Sequence, residues 1–212
     1  LRLIHHKHDD AALESLISTR TPFFVLPLQL DGDAQIKVHS DFCNMAEVMA
    51  HVLESFARHA PGKAKLIIKN HPLDPGLDQH QQTISTLISR FDLNNRIVYM
   101  ETGNLVRMLR HAKGAVMVNS TVGTLALGLG CPTIALGNPI YHLPGLTFQG
   151  PLEHFWRIRL KPDNELFHWF RNTVIHATQV NGGFYSREGI DLLVNNSIPL
   201  LEADRSPLEA LW

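Results

Sequence analysis

The chain has 212 residues, 44% of them hydrophobic and 18% charged, ordinary proportions for a globular protein able to bury a core. Nineteen basic residues against 20 acidic ones leave a net charge of −1, so the electrostatic footprint of a nucleic-acid binder is missing and nucleic acid is not an expected partner. No apolar run approaches the roughly 20 residues that cross a bilayer. Cys43 and Cys131, with no CxxC pair and in apolar surroundings, read as reduced, buried thiols.

The opening LRLIHHKHDD starts on Leu1 with no signal peptide, and is expected to be a linker inside a longer protein. The HHKH cluster at 5–8 falls in that linker. With no HExxH elsewhere among the 13 histidines, no metal site is expected. Asp9 and Asp10 are expected to cap a short helix over AALESLIST. TPFFVLPL (21–28) is a continuous apolar run bounded by prolines, the pattern of a strand buried on both faces. After a polar loop, QLDGDAQIKVHS, apolar residues at Met45, Val48, Met49, Val52, Leu53 and Phe56 mark an amphipathic helix. KLIIK (65–69) is the next strand, and Ile84, Leu87, Ile88 and Phe91 the next helix. Three more strands, RIVYM (96–100), GAVMV (114–118) and CPTIAL (131–136), are separated by helices at NLVRMLRHA and TLALGLG.

Strands and helices thus alternate at spacings suited to right-handed crossovers, which predicts an α/β fold: a Rossmann-like, doubly wound parallel sheet. Past residue 137 the chain is rich in Gly, Pro and aromatics, and the apolar stretch Leu143–Trp156 is expected to pack into the core. Helices follow at 163–178 and REGIDLLVNN, with a loose tail expected from Ile198. The expected organisation is a linker and first helix (1–20), a Rossmann-like domain (21–160), and C-terminal helices with a tail (161–212).

In such a sheet ligands lie outside the strand C-termini, so the loops there are the candidates. Asn119, Ser120 and Thr121 end a strand and begin a helix. Their hydroxyls and the helix N–H groups suit an anion, although Ser or Thr could equally cap the helix. In IIKNHPLDPG (67–76), Lys69 and His71 add donors, and Pro72 holds His71 extended. Taken alone, this is also how a polar strand terminus looks. Gln29, Asp31 and Asp33 could bond sugar hydroxyls or be solvated turn residues. Neither GxGxxG nor GxxxxGK[ST] occurs, so a nucleotide would be held without the usual glycine fingerprint.

Five ordered stretches, LPLQLDGD, IIKNHPLDPG, VNSTVGTLAL, PTIALGNPIYHLPGLTFQGPLEHFW and NGGFYS, resemble the capsule polysaccharide biosynthesis and export family of the KpsS/KpsC type, over residues 22 to 186. The resemblance implies the C-terminal, donor-binding half of a GT-B glycosyltransferase that moves β-Kdo from CMP-Kdo to a lipid-linked acceptor of the lyso-phosphatidylglycerol type. It implies an inverting reaction, a cytoplasmic protein peripheral at the inner membrane, and capsule assembly proteins as partners. His71, Ser120, Thr121 and Lys69 would contact the donor phosphate. Gln29, Asp31, Pro72, Asn119, Gly137 and Tyr141 would make further donor contacts. No cofactor is implied. The general base would come from an N-terminal half with no counterpart here. The alternatives are a non-catalytic export or scaffold protein, and a GT-B enzyme using a UDP-sugar.

Overall fold

Five strands form one parallel sheet in the order β3-β2-β1-β4-β5. They are β1 Phe23–Pro27, β2 Lys65–Lys69, β3 Ile97–Met100, β4 Gly114–Met117 and β5 Thr133–Ala135. This computed structural model describes residues 2–30, 32–74, 80–158 and 160–209, with side chains from residue 7 onward. The helices are α1 (Arg2–Ser18), α2 (Ala34–Lys37), α3 (Met45–His59), α4 (His80–Arg90), α5 (Leu105–His111), α6 (Val122–Gly128), α7 (Leu152–Phe155), α8 (Asn164–Thr178) and α9 (Arg187–Glu202).

The strands read as unbroken apolar runs because helices cover both faces of the sheet. Side chains alternate between faces along each strand. Phe24, Leu26, Leu66 and Ile68 meet α3, α4 and α7 on one side. Phe23, Val25 and Ile67 meet α1 and α5 on the other, where Ala115 and Met117 also pack with α5 and α6. The sheet is therefore doubly wound. Trp156 anchors the first layer: its ring stands edge-on to Phe24 and Phe56 at 5.1 Å each, and its indole N–H donates to Ser55 Oγ. So the aromatic end of the Leu143–Trp156 stretch is core, while Leu143 itself is exposed.

Four sequence expectations need correcting. α1 begins at Arg2, so the histidine cluster at 5–8 is helical and Asp9 and Asp10 lie inside the helix rather than capping it. Asp9 is instead buried, accepting hydrogen bonds from the Thr102 N–H and hydroxyl. Cys43 is exposed; only Cys131 is buried, and burial pushes its thiol up to about 12. The polar loop after β1 contains a helical turn, α2, opened by Asp33, whose Oδ1 accepts from the Gln35 N–H, and fixed by buried Ile36. Finally, α9 continues through Pro199 to Glu202, past the point where a loose tail was expected.

The chain divides into two compact units, Leu1–Asn164 and Glu165–Trp212. The first holds the whole sheet. The second holds the rest of α8 and the whole of α9. Among the described residues no helix is long and apolar enough to cross a membrane.

Candidate functional site

The strand order reverses direction between β1 and β4, which makes the crevice outside their C-terminal ends the topological switch point. A cleft of about 330 Å³ lies there. The loop after β1 contributes Gln29 and Asp33, the loop after β2 contributes Lys69, Asn70, His71 and Pro72, and the turn into α6 contributes Asn119, Ser120 and Thr121. Gly103 and Leu105 close the side beyond β3. Gln29, Lys69, His71, Pro72, Asn119, Ser120 and Thr121 are thus brought together on one cleft. Gly137 and Tyr141 do not line it, and Asp31 lies outside the described residues.

The loop after β2 is held by a polar network. Asn70 is buried; its Nδ2 donates to Asp74 Oδ2 at 2.9 Å and to Glu101 Oε2 at 2.8 Å, while its Oδ1 accepts the His71 N–H at 2.8 Å. Glu101 also accepts from Gln81 Nε2 through Oε1, and from Tyr99. Burial opposes ionisation of Glu101, but the hydrogen bonds from Asn70, Tyr99 and Gln81 outweigh it and hold the carboxyl below its ordinary value. The same burial and the neighbouring carboxylate push the Tyr99 phenol well above its ordinary range.

His71 has its ring fixed by the turn it starts. The Leu73 N–H donates to Nδ1 at 3.2 Å, so in the neutral ring the proton sits on Nε2, which is then the ring's donor. Lys69 also has a structural part. Its Nζ donates to the carbonyls of Asn70 (2.9 Å) and Glu101 (3.1 Å), tying β2 to the end of β3. Burial lowers its pKa, against the attraction of Asp9 and Glu101. Lys69 lines the cleft with two of its three N–H groups engaged by backbone oxygens.

Gln29 likewise works between loops. Its Nε2 donates to Asp33 Oδ2 and its Oε1 accepts the Asn119 N–H, so the ends of β1 and β4 are stitched across the switch point. Asn119 continues the seam by donating from Nδ2 to the carbonyls of Gln35 and His39. Its Oδ1 is buried and has no partner among the described residues.

At the turn into α6 the opening amides are largely satisfied from within. Val122 N–H donates to Ser120 Oγ, Gly123 N–H to the Ser120 carbonyl, and Thr124 N–H to the Thr121 carbonyl. Thr121 occupies the N-cap position but makes no side-chain cap bond, which leaves its exposed hydroxyl available to a ligand. Capping therefore accounts for Ser120 and not for Thr121.

Tyr141 and Gly137 touch this turn from outside the cleft. The Tyr141 hydroxyl donates to the Ser120 carbonyl at 2.6 Å. A Cβ on Gly123 would come within 2.2 Å of the Tyr141 ring, and one on Gly137 within 2.4 Å of Asn119 Oδ1. Sequence reasoning missed Glu101 and Thr102 altogether, and gave Asp9 a capping role instead of its bond to Thr102. Asp9 and Thr102 lie 93 residues apart, a pairing with no local signature.

By sheet order and by the placing of its polar groups, this is a Rossmann-like domain with a cleft at its switch point, partly apolar and carrying polar side chains from three loops. The chain belongs to the family described as capsule polysaccharide biosynthesis protein, which it matches over residues 1–185. It is 40% identical over 166 residues to the capsule polysaccharide modification protein LipB of Neisseria meningitidis serogroup A, covering 78% of this chain and 40% of that protein. It is 38% identical over 163 residues to the capsule polysaccharide export protein KpsS of Escherichia coli, covering 77% and 42%. The chain thus spans about two-fifths of the length of these relatives. Among solved structures it is similar to Thermosulfurimonas dismutans KpsC, a beta Kdo 2,7 transferase, with TM-score 0.49 and 20% identity, covering 79% of this chain and 53% of that one. It is also similar to Anabaena HepE in complex with UDP and glucose, with TM-score 0.45 and 14% identity, covering 91% and 47%.

Proposed function

We propose that this chain is the donor-binding half of a GT-B glycosyltransferase of capsule synthesis, and that its switch-point cleft takes the phosphate of CMP-Kdo. The observation that carries the reading is the convergence of His71, Ser120 and Thr121, from two separate loops, on one cleft at the β1/β4 switch point. Family membership supplies the capsule context.

The α6 amides of residues 122–124 and two of the three Lys69 N–H groups are engaged internally. The His71 Nε2–H and the Ser120 and Thr121 hydroxyls remain as donors for the phosphate of a CMP-sugar. In the reaction an acceptor hydroxyl would attack the anomeric carbon, the bond from that carbon to the phosphate oxygen would break, and CMP would leave with the electron pair. His71 and Thr121 would stabilise the charge growing on that phosphate. The base receiving the hydroxyl proton would lie outside this chain, as would the site for a lipid-linked acceptor.

Calorimetric titration with CMP, with UMP as control, tests this reading. The expected outcome is selective CMP binding, weakened by about 1.5–3 kcal/mol in His71→Ala, the scale of a hydrogen bond to a charged group. Preference for UMP would overturn the CMP-sugar assignment. An unchanged affinity in His71→Ala would remove the phosphate from this cleft.

A further inference from the structure

The tyrosine behind the cleft has no role in the reading above, yet it makes a 2.6 Å hydrogen bond to the turn that the reading depends on. We propose that Tyr141 is a positioning residue: from the loop after β5 it fixes the peptide between Ser120 and Thr121, and Gly123 exists to admit its ring.

Three observations converge. First, the Ser120 carbonyl accepts two hydrogen bonds, from the Tyr141 hydroxyl at 2.6 Å and from the Gly123 N–H at 3.0 Å. Two donors at fixed positions determine the direction of that carbonyl. Because the peptide unit is planar and trans, they also determine the attitude of the Thr121 backbone that follows. Second, the ring cannot sit elsewhere without a loss of packing: Tyr141 is 3% exposed, and the space it fills would be entered by any Cβ at 123, 2.2 Å from its Cζ. Third, the same loop meets the cleft loop a second time, where Gly137 lies so close that a Cβ there would fall 2.4 Å from Asn119 Oδ1. The loop after β5 is therefore a two-point buttress for residues 119–123. Burial also pushes the Tyr141 phenol above its ordinary value, so it remains a protonated donor throughout the neutral range.

The functional half of the inference rests on the proposed phosphate site; the structural half does not. Tyr141→Phe removes one oxygen and keeps the ring in its slot. Backbone amide exchange over residues 119–124 is measured first, with no ligand present. Exchange there is expected to accelerate about three- to tenfold, the scale of one lost hydrogen bond, with the rest of the sheet unchanged. Titration follows with CMP and with cytidine, which lacks the phosphate. CMP should bind about three- to tenfold more weakly, and cytidine as in the parent chain. Unchanged exchange over 119–124 overturns the proposal whatever binds. Equal weakening of CMP and cytidine reduces Tyr141 to a general structural role and also overturns it. If neither parent nor variant binds CMP, the donor-site reading fails, and the exchange result still decides whether Tyr141 holds the turn. A double-mutant cycle guards against a folding artefact: Gly123→Ala should cost stability in the parent chain but little in a Tyr141→Ala background, where the ring it meets is gone, and the protection of 119–124 should stay low in that background. Restored protection would show that the turn holds itself.

Discussion

The two loops that face each other across the cleft are held by different physics. The loop after β2 hangs on charge and hydrogen bonds: Asn70 divides its amide between Asp74 and Glu101 and holds the His71 N–H with its oxygen. The turn after β4 makes its hydrogen bonds through uncharged groups, among them Gln29 and Tyr141, and is fitted by shape, with Gly123 and Gly137 allowing a tyrosine and an asparagine closer than any Cβ would permit. A network of partly buried carboxylates responds to pH and to the loss of one partner. A steric fit responds to volume. The two rims should therefore fail under different perturbations.

The steric side and the polar side should each lose stability on a similar scale. Gly123→Ala adds a methyl against a buried ring that has nowhere to retreat. Overpacking of this kind costs about 1–3 kcal/mol, and the gain in helix propensity of about 1 kcal/mol offsets only part of it. Urea unfolding should show the loss with an unchanged slope. A stabilised variant would mean that Tyr141 moves aside freely, and the contrast between the rims would collapse.

On the polar side, Asn70→Leu removes a donor shared by two carboxylates together with the acceptor of the His71 N–H. The expected cost is about 1–3 kcal/mol, because buried polar groups lose their partner rather than being replaced along with it. Thermal unfolding at neutral pH measures it. A neutral result would show that solvent substitutes for Asn70 and that the network is not what orders this loop.

Acid titration separates the rims by a smaller effect. The Glu101 carboxyl is held below 4.5, its reference value, in the folded chain. A depressed carboxylate contributes stability that is fully present above the unfolded pKa and disappears as pH falls through the folded one. Glu101→Gln should therefore be less stable than the parent at neutral pH, with the gap closing progressively below about pH 4.5. Tyr141→Phe should show a gap independent of pH over the same range. Parallel curves for Glu101→Gln and the parent would sink the electrostatic account of the first rim.

The sheet was legible because both-face burial writes itself as unbroken apolar runs, and each of the five runs is a strand within two residues of its expected bounds. The short pieces were not. α2 is four residues long and is recognised only by Asp33 capping and the burial of Ile36, too few residues to establish a period. The cleft was legible as a set of loops, since strand ends in an α/β sheet collect there. The roles of the side chains were not, because they depend on partners distant in the chain. Lys69 reads as a free cation until β3 brings the Glu101 carbonyl to it, and Gln29 reads as a sugar donor until β4 delivers the Asn119 N–H, 90 residues away. Gly123 and Tyr141 are separated by 18 positions and by a strand, so nothing local marks one as the socket of the other.

The smallest expected effect is also the most discriminating. An N-cap Thr that bonds its helix costs about 0.5–2 kcal/mol when replaced by Ala. Thr121 sits at the N-cap of α6 without such a bond, while the neighbouring Ser120 hydroxyl accepts the Val122 N–H. Thr121→Ala should therefore leave stability within about 0.5 kcal/mol of the parent, the range of an ordinary surface change, whereas Ser120→Ala should cost more. If Thr121 serves the ligand, the order reverses in titrations with CMP, where Thr121→Ala weakens binding without destabilising the chain. A Thr121→Ala variant that unfolds early would place the hydroxyl back among the caps rather than at the ligand.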